Sequence, residues 1–514
     1  MIHKFFILSD HKGLAYSEKT PEDHKKTFGQ YLTPPEVAAF MSGLPSIRKV
    51  SRLDILDPGI GSGILGIALV ERIVEDFKSI EHINLVGYEM DSGLKNILHE
   101  SIEQLSEWAD SKGVCFTYEI RFKDFVLDKA SVLDDSPSLF SSLHQAEQDE
   151  LFDIIISNPP YFKIPKDDPR ARAAAKVVYG QPNIYALFMA ISARLLKQHG
   201  ELVFITPRSY ASGPYFKQFR EFFFEEITPI QFHLFNSRAE TFDRDSILQE
   251  NLILYAKRVP KRTPDREVTI SISNGSRDLG TVKSRKLPLK RVIDLSSTNK
   301  VLFLPTAYQD DRILEIVDSW SGSLHKYEME ISTGKVVPFR TTEFLCTHGD
   351  IANGEAPLIW MNSIRNSTVV WPFLKRSKPQ YIRVTDETRP LLNRNGNYVL
   401  LRRFSAKEES RRLNSSPYLQ EQLDCELVAF ENHVNYVHRP YGKISRSEAI
   451  GISAILNSVF LDTYFRVSNG NTQVSATEIR DMPFPDIIQI KRIGELIESG
   501  KQLNVDNYFT SATI

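Results

Sequence analysis

A glycine-rich loop between a predicted strand and a predicted helix limits the fold of this chain more than any other feature. Residues 53–57 form a predicted buried strand, the loop continues to Gly63, and residues 64–77 have the apolar spacing of a helix. Gly59, Gly61 and Gly63 let the backbone turn tightly and approach a ligand, and the start of the helix offers free N–H groups beside them. Such a unit is typical of the ligand-binding edge of α/β sheets.

Alternating strand and helix patterns extend this unit over the first half of the chain. Buried runs at 83–89, 152–157 and 201–206 indicate strands, and 184–197 indicates a helix. This alternation predicts an α/β fold with a doubly wound, mostly parallel, Rossmann-like sheet. Ligands of such sheets bind beyond the carboxyl ends of the strands, where the motifs described below fall. The second half has short strands and helices in no assignable order, and we expect a mixed α/β domain there.

Charge divides the 514-residue chain in a similar way. The net charge is −2, which excludes a protein that coats nucleic acid indiscriminately. Residues 1–260 nevertheless carry −7 and residues 261–514 carry +5, and the change falls at a segment with prolines and charges. We therefore predict a catalytic domain at 1–258, a linker at 259–266 and a second domain at 267–514.

Two carboxylates at the predicted ligand edge indicate an adenosine cofactor with a cationic part. Glu89 ends the strand after the loop, where it can accept both hydroxyl groups of a ribose. Asp57 begins the loop, where it would repel a pyrophosphate but attract the ammonium of a methionine group. Asp57, together with the motif that follows on the later strands, favours S-adenosylmethionine over a nicotinamide dinucleotide, although residues 61–66 match the dinucleotide pattern G-x-G-x-x-G.

The tetrapeptide Asn158-Pro159-Pro160-Tyr161 follows the strand at 152–157 and carries the predicted chemistry. Its prolines fix the backbone and remove two N–H donors, so that carbonyl oxygens and the Asn158 amide face a cleft. A planar NH2 group is a poor nucleophile because its lone pair is delocalised. If the Asn158 side-chain oxygen and the Pro159 carbonyl accept its hydrogens, the nitrogen becomes pyramidal and can attack a sulfonium methyl. Tyr161 is predicted to stack on the ring that bears the amine.

These segments resemble the gamma class of DNA adenine N(6)-methyltransferases, found in type II restriction–modification systems. The cofactor segments come first, the tetrapeptide second and a long carboxyl-terminal region last, which is the order of that class. The resemblance implies a methyltransferase sheet followed by a target-recognition domain. It also implies a cofactor site for S-adenosylmethionine formed by Tyr31, Thr33, Asp57, Pro58, Gly59, Gly61, Gly63, Glu89, Asp124, Phe125 and Asn158.

The resemblance assigns roles to several of these residues. Thr33, in the motif at 28–37, would line the cofactor pocket, Asp124 would bind the adenine amino group of the cofactor, and Phe125 would pack on its ring. A flipped target adenine would be held by Asn158, Pro159, Pro160, Tyr161 and, from a late hairpin, Phe242. Flipping is a physical requirement, because an amino nitrogen inside a duplex cannot align with a bound sulfonium.

Positive charge is concentrated between Arg365 and Arg412, where 12 Lys and Arg stand against 4 Asp and Glu, among aromatic residues. This stretch suits phosphate contacts, and polar segments at 431–439 and 469–477 suit contacts to base edges. Double-stranded DNA is the predicted partner, and a cognate restriction endonuclease encoded separately is a further one. We expect a monomer of the bacterial cytoplasm with no membrane segment.

The sequence argues against several other activities and leaves alternatives open. None of the three cysteines follows a proline or forms a Cys-x-x-Cys pair, which disfavours cytosine 5-methylation, a disulfide framework and a zinc site, and no metal is predicted. A ribosomal-RNA or protein-glutamine methyltransferase would use the same tetrapeptide. A DNA-recognition subunit with a silent catalytic fold is a second alternative. A dinucleotide oxidoreductase would require the tetrapeptide to be accidental.

Overall fold

The chain forms two compact units that divide between Thr306 and Ala307. The computed structural model describes residues 5–29, 32–134, 150–178, 180–236, 250–259, 265–365, 367–373, 378–470, 473–501 and 503–511. The predicted linker at 259–266 does not separate the two units, because the strands at 267–273 and 283–288 pair with the sheet of the first unit. No helix within these ranges is both long and apolar enough to cross a membrane.

A nine-stranded sheet forms the centre of the first unit. Its strands are β1 (Arg52–Asp57), β2 (His82–Tyr88), β3 (Cys115–Arg121), β4 (Phe152–Ser157), β5 (Leu196–Pro207), β6 (Thr228–Phe235), β7 (Asn251–Lys257), β8 (Glu267–Ser273) and β9 (Lys283–Pro288). Their order is β3-β2-β1-β4-β5-β7-β6-β8-β9. Strands β1 to β5 are parallel, β7 is antiparallel to both β5 and β6, and β9 is antiparallel to β8. The predicted α/β fold with a mostly parallel sheet is confirmed.

Helices cover both faces of this sheet because successive side chains of each buried strand point to opposite faces. The helices of the first unit are α1 (Phe5–Lys19), α2 (Glu22–Phe28), α3 (Pro35–Gly43), α4 (Ile64–Asp76), α5 (Lys95–Ser111), α6 (Phe125–Lys129), α7 (Pro169–Ala173), α8 (Ile184–Leu195), α9 (Lys217–Glu226) and α10 (Leu289–Val292). On β1, Ile55 packs into the core shared with α1, α3, α4 and α5. The next residue, Leu56, packs into the core shared with α6, α8 and α9.

The direction of winding changes between β1 and β4, and this change positions the site. The chain leaves β1 into α4 on one face of the sheet, whereas α8, which precedes β5, lies on the other face. A crevice therefore opens between the carboxyl ends of β1 and β4, as in other doubly wound sheets. The glycine loop follows β1 and the tetrapeptide follows β4, so both motifs lie at this crevice.

The second unit combines three small sheets with helices. Its strands are β10 (Glu330–Thr333), β11 (Leu345–Cys346), β12 (Glu355–Ile359), β13 (Ile364–Arg365), β14 (Thr368–Val369), β15 (Tyr381–Arg383), β16 (Asn393–Arg394), β17 (Tyr398–Arg402), β18 (Ser415–Tyr418), β19 (Leu427–Phe430) and β20 (Val434–His438). Their orders are β10-β20-β17-β18, β11-β15-β12-β19-β16 and β13-β14. The helices are α11 (Tyr308–Asp318), α12 (Arg446–Leu456), α13 (Val459–Ser468), α14 (Ala476–Arg480), α15 (Ile487–Glu498) and α16 (Val505–Ser511).

Candidate active site

A cleft opens at the carboxyl ends of β1, β2 and β4. Its empty volume is about 790 Å³, a figure that includes the space open to solvent at its mouth. The lining comes from both motifs, from the segments after β2 and β3, from α8 and from the amino-terminal segment: Gly13, Tyr16, Ser17, Phe28, Gly29, Leu32, Pro58, Gly59, Gly61, Tyr88, Glu89, Met90, Leu94, Lys123, Phe125, Asn158, Pro160 and Phe188. The predicted ligand edge therefore contains a cleft, and residues of both motifs line it.

The glycine loop closely approaches the tetrapeptide across this cleft. A Cβ atom added at Gly59 would lie 3.6 Å from the carbonyl oxygen of Asn158 and 3.7 Å from the Cα of Pro159. A methyl group would already touch the tetrapeptide, and a longer side chain would fill the gap. Gly63 has a different role, because it allows the chain to turn immediately before α4. Its φ of 97° lies in the left-handed region, which favours glycine.

Asp57 is buried and does not line the cleft in this structure. Burial raises the pKa of its carboxyl group to about 8, although the N–H groups of Gly59 and Gly66 partly lower it. Neither amide reaches hydrogen-bond geometry with the carboxylate oxygens. Burial therefore disfavours the charged form that an ion pair with a cofactor ammonium would need. That role of Asp57 stays a prediction.

Glu89 directly follows β2 and faces the cleft with a fixed carboxylate. Its Oε2 accepts the N–H of Gly61 at 3.0 Å, and its Oε1 accepts the N–H of Asp91 at 2.7 Å. Burial raises its pKa to about 7, although these two amides lower it. Each oxygen has a second lone-pair site after its amide bond, so that the carboxylate can accept two hydroxyl groups. The site therefore fits the ribose diol of an adenosine cofactor.

The Asn158 amide is held from both ends. Its Nδ2 donates to Oγ1 of the buried Thr33 at 3.0 Å, and the Tyr161 hydroxyl lies 2.5 Å from its Oδ1. The same hydroxyl lies 3.0 Å from the carbonyl oxygen of Ile205 on β5. Because a phenol has one proton, Tyr161 donates to one of these two oxygens at a time. The amide orientation is thus set by residues from three segments of the chain.

Tyr161 is less accessible than its predicted stacking role requires. Its side chain is only 6% exposed, and its ring packs edge-on against Tyr185 of α8, with centroids 6.3 Å apart. Stacking on a substrate ring would require this packing to open. The stacking role stays a prediction, whereas the hydrogen bond to Asn158 is present in the structure.

Of the two residues predicted to bind the adenine of the cofactor, only Phe125 is in the cleft lining. Phe125 lines the cleft beside Phe188 of α8, with ring centroids 5.1 Å apart, and the two form an apolar wall suited to a planar base. Asp124 instead begins α6, where its Oδ1 accepts the N–H of Leu127 at 3.0 Å. Its Oδ2 lies 3.9 Å from Nη1 of Arg170. A bond from Asp124 to the adenine amino group stays a prediction.

Two of the predicted site residues, Tyr31 and Phe242, lie outside the described residues. Two groups of residues that line the cleft were not predicted from the sequence. Sequence reasoning did not find the α1 residues of the lining, such as Tyr16, or Phe188 of α8. No motif marks α1, and its contacts to the cleft join parts of the chain that are distant in sequence. Phe188 lies in an apolar helix, where nothing distinguishes it from the other core residues.

The basic stretch of the second unit contains both structural and exposed arginines. Arg412 is only 1% exposed, and its Nε donates to Oγ of Ser405 at 3.0 Å. Arg402 donates from Nε to the carbonyl oxygen of Ile364 at 2.9 Å. Among the residues of this stretch that the structure describes, the exposed Lys and Arg side chains are those of Arg365, Arg383, Arg389, Arg394 and Arg411. Part of the predicted positive charge therefore supports the fold of the second unit.

Solved structures share the fold over nearly the whole chain. One is the structure of a DrdV–DNA complex, with a TM-score of 0.52 and 14% identity, matching 95% of this chain and 59% of that one. Another is the structure of a nuclease-deletion mutant of the Type ISP restriction–modification enzyme LlaGI in complex with a DNA substrate mimic. Its TM-score is 0.52 and its identity 12%, and the match covers 95% of this chain and 56% of that one. At these identities the likeness shows the fold alone.

The sheet order and the cleft define an S-adenosylmethionine-dependent methyltransferase, and S-adenosylmethionine is its cofactor. The family model described as Eco57I restriction-modification methylase matches residues 73–242. The type II methyltransferase M.BsuBI of Bacillus subtilis is 32% identical over 488 residues, 94% of this chain and 93% of the relative. M.PstI of Providencia stuartii is 30% identical over 498 residues, which is 96% of this chain and 94% of that relative. The chain belongs to this family, the type II methyltransferases of restriction–modification systems.

Proposed function

We propose that this protein transfers a methyl group to the exocyclic 6-amino group of adenine in duplex DNA, and so protects host DNA in a restriction–modification system. The proposal is carried by the Asn158 amide, which Thr33 and Tyr161 hold at the edge of the cofactor cleft. Cytosine 5-methylation would need a thiolate at this edge. Cys115 instead begins β3, at the other end of the sheet, and the remaining cysteines belong to the second unit.

The residues of the tetrapeptide address the weak nucleophilicity of the adenine amine. Asn158 Oδ1 and the Pro159 carbonyl accept the two amino hydrogens, which withdraws the lone pair from the ring and directs it toward the cofactor. When bound, S-adenosylmethionine supplies a methyl group on a sulfonium, which becomes a neutral thioether as the C–S bond breaks. The nitrogen forms the new C–N bond, and one amino proton passes to solvent. No covalent bond to the protein is needed.

The Tyr161 hydroxyl lies between two acceptors, Asn158 Oδ1 and the Ile205 carbonyl. When the phenolic proton points to Asn158, that oxygen accepts a bond from it; when the proton points to Ile205, that bond is absent. Arrival of an amino group favours the second arrangement, because the proton keeps an acceptor at 3.0 Å. The pair of acceptors thus lets the site receive substrate without leaving the buried hydroxyl unsatisfied.

Duplex DNA is the proposed substrate, and the second unit is the proposed recognition domain. The similar DrdV and LlaGI structures contain DNA or a DNA mimic. The exposed arginines between Arg365 and Arg411 supply groups for phosphate contacts, which position a duplex without reading its sequence. The target adenine would have to leave the helix to reach Asn158, and Phe242 is proposed to stack on it there. A separately encoded restriction endonuclease would complete the system.

The variant Asn158→Ala tests the proposed chemistry. We expect it still to bind S-adenosylhomocysteine, by calorimetry, but to methylate plasmid DNA at least about a hundredfold more slowly, because the acceptor for the amino group is lost. Methylation is followed by sequencing with methylation-sensitive base detection. Asn84→Ala is the matched control, because Asn84 lies on β2 outside the cleft lining, where its Oδ1 accepts a bond from the Thr117 hydroxyl of β3 at 3.0 Å.

Near-normal methylation by Asn158→Ala would contradict the assignment. Unmodified DNA from cells that express the active wild-type protein would also contradict it. In that case, labelled methyl groups on ribosomal RNA or on a protein glutamine would favour the alternatives that share the tetrapeptide. Cofactor binding without any methyl transfer would favour a recognition subunit.

A further inference from the structure

Helix α1 is attached directly to the glycine loop of the cofactor cleft. Ser9 Oγ donates to the carbonyl oxygen of Ser62 at 2.6 Å, and both residues are buried. A Cβ atom added at Gly13 would lie 3.0 Å from Cβ of Ser62, so a glycine at this position lets the helix come this close. Beyond this contact, Tyr16 and Ser17 reach the cleft. A helix that carries no methyltransferase motif thus forms one wall of the cofactor site.

A buried carboxylate joins α1 and α2 to the end of β2. Asp91 is 3% exposed, and its Oδ2 accepts a hydrogen bond from the Tyr16 hydroxyl at 2.7 Å. The same oxygen lies 3.0 Å from Nε2 of His24 on α2. Its Oδ1 accepts the N–H of Gly93 at 3.0 Å, which fixes the turn after β2. Burial and Asp91 raise the pKa of Tyr16 to about 12, so the hydroxyl keeps its proton at neutral pH.

The backbone of Asp91 connects Tyr16 and His24 to the carboxylate of Glu89, which is predicted to bind the ribose. Its N–H donates to Oε1 of Glu89 at 2.7 Å, while Gly61 holds Oε2 at 3.0 Å. Tyr16 and Glu89 lie within two hydrogen-bonded steps of each other, and both line the cleft. If the Asp91 side chain loses its partners, the turn and its N–H gain freedom, and Glu89 must be ordered again when a ligand binds.

We propose that the amino-terminal helix pair, α1 and α2, is part of the cofactor site. In this arrangement Tyr16 and His24 are positioning residues that hold Asp91. Through its N–H, Asp91 holds Glu89 in the orientation that binds the ribose diol. The inference rests on S-adenosylmethionine as the cofactor and is independent of the base that receives the methyl group.

The test compares two ligands of the full-length protein by isothermal titration calorimetry in the absence of DNA. One ligand is S-adenosylhomocysteine, and the other is its analogue without the two ribose hydroxyls. We expect Tyr16→Phe to lower the affinity for S-adenosylhomocysteine about three- to tenfold, which is the effect of losing one hydrogen bond. It should leave the affinity for the analogue within about twofold, because that ligand makes no bond to Glu89. Asp91→Asn, which keeps the shape of the side chain, should show the same selectivity.

The matched control is Tyr118→Phe, which removes a hydroxyl from β3 outside the cleft lining and should change neither affinity. Thermal unfolding of each unliganded variant checks that it is folded. Unchanged binding of S-adenosylhomocysteine by both folded variants would overturn the proposal. Equal weakening of both ligands would also overturn it, because Tyr16 would then act as a simple wall residue and not through Glu89.

Discussion

Two carboxyl groups with raised pKa values, those of Asp57 and Glu89, make the stability of the unliganded protein depend on pH. Their pKa values rise to about 8 and about 7 in the folded protein, mainly because of burial, from ordinary values of 3.8 and 4.5. Between the ordinary and the raised values, the folded state binds more protons than the unfolded chain. The free energy of unfolding therefore decreases as pH rises through this window.

The variant Asp57→Asn isolates the larger of these two contributions. We expect the unfolding temperature of the unliganded wild type to fall between pH 5 and pH 8, and to fall less in the variant, because the titrating carboxyl group is gone. Thermal denaturation at constant ionic strength measures both slopes.

Asp54→Asn is the control for this comparison. Burial raises the pKa of Asp54, but the hydrogen bonds and charges of Lys197 and Arg52 lower it by more. The pKa in the folded protein therefore lies below the ordinary value and outside this window. The unfolding temperature of Asp54→Asn should therefore change with pH as steeply as that of the wild type. Equal slopes for Asp57→Asn and the wild type would contradict the account of Asp57.

At the scale of secondary-structure elements, local patterns were predictable and distant pairings were not. The strand, glycine loop and helix around Gly59 follow one another along the chain, so their sequence pattern predicts β1, the turn and α4. The position of Asn158 directly after β4 was predictable for the same reason. The role of Tyr16 depends on α1 packing against the loop, which no local pattern encodes.

The domain boundary shows the same limit. The segment at 259–266 has the composition of a linker, but β8 pairs with β6 in parallel, in a register set by the first unit. Only the pairing partner reveals that β8 belongs to the sheet. The burial of Tyr161 is a similar case, because Ile205 of β5 and Tyr185 of α8 determine it.

A buried hydrogen-bond group on β5 supports the sheet away from the cleft. Glu201 is 3% exposed and accepts bonds from Ser46, from the Tyr255 hydroxyl at 2.8 Å and from Lys257 at 2.7 Å. We expect Glu201→Gln to lower the free energy of unfolding by about 1–3 kcal/mol in urea denaturation, because charged acceptors are lost. The affinity for S-adenosylhomocysteine should not change, since Glu201 is outside the cleft lining.

The matched control for this variant is Glu267→Gln on β8. Glu267 and its neighbour Lys286 are both about two-thirds exposed, and exposed ion pairs contribute little stability. A loss below about 0.5 kcal/mol for Glu201→Gln, equal to that of a neutral surface change, would contradict the role of this group.

At the scale of the whole molecule, the net charge of −2 hides two unequal parts. The first unit contains the cofactor cleft, and the excess of positive charge lies beyond residue 260. Within that excess, Arg412 supports the fold, whereas residues such as Arg394 are exposed. The proposed DNA contact is therefore local and sensitive to salt, because each phosphate contact releases counterions.

The chemical identity of the methylated nucleoside tests the central proposal most directly. Purified protein is incubated with duplex DNA and S-adenosylmethionine that carries an isotope-labelled methyl group, and the digested nucleosides are separated by mass spectrometry. The account predicts that the label appears in N(6)-methyldeoxyadenosine and disappears when Asn158→Ala replaces the wild type. Label in a methylated cytidine, or equal labelling by the variant, would contradict it.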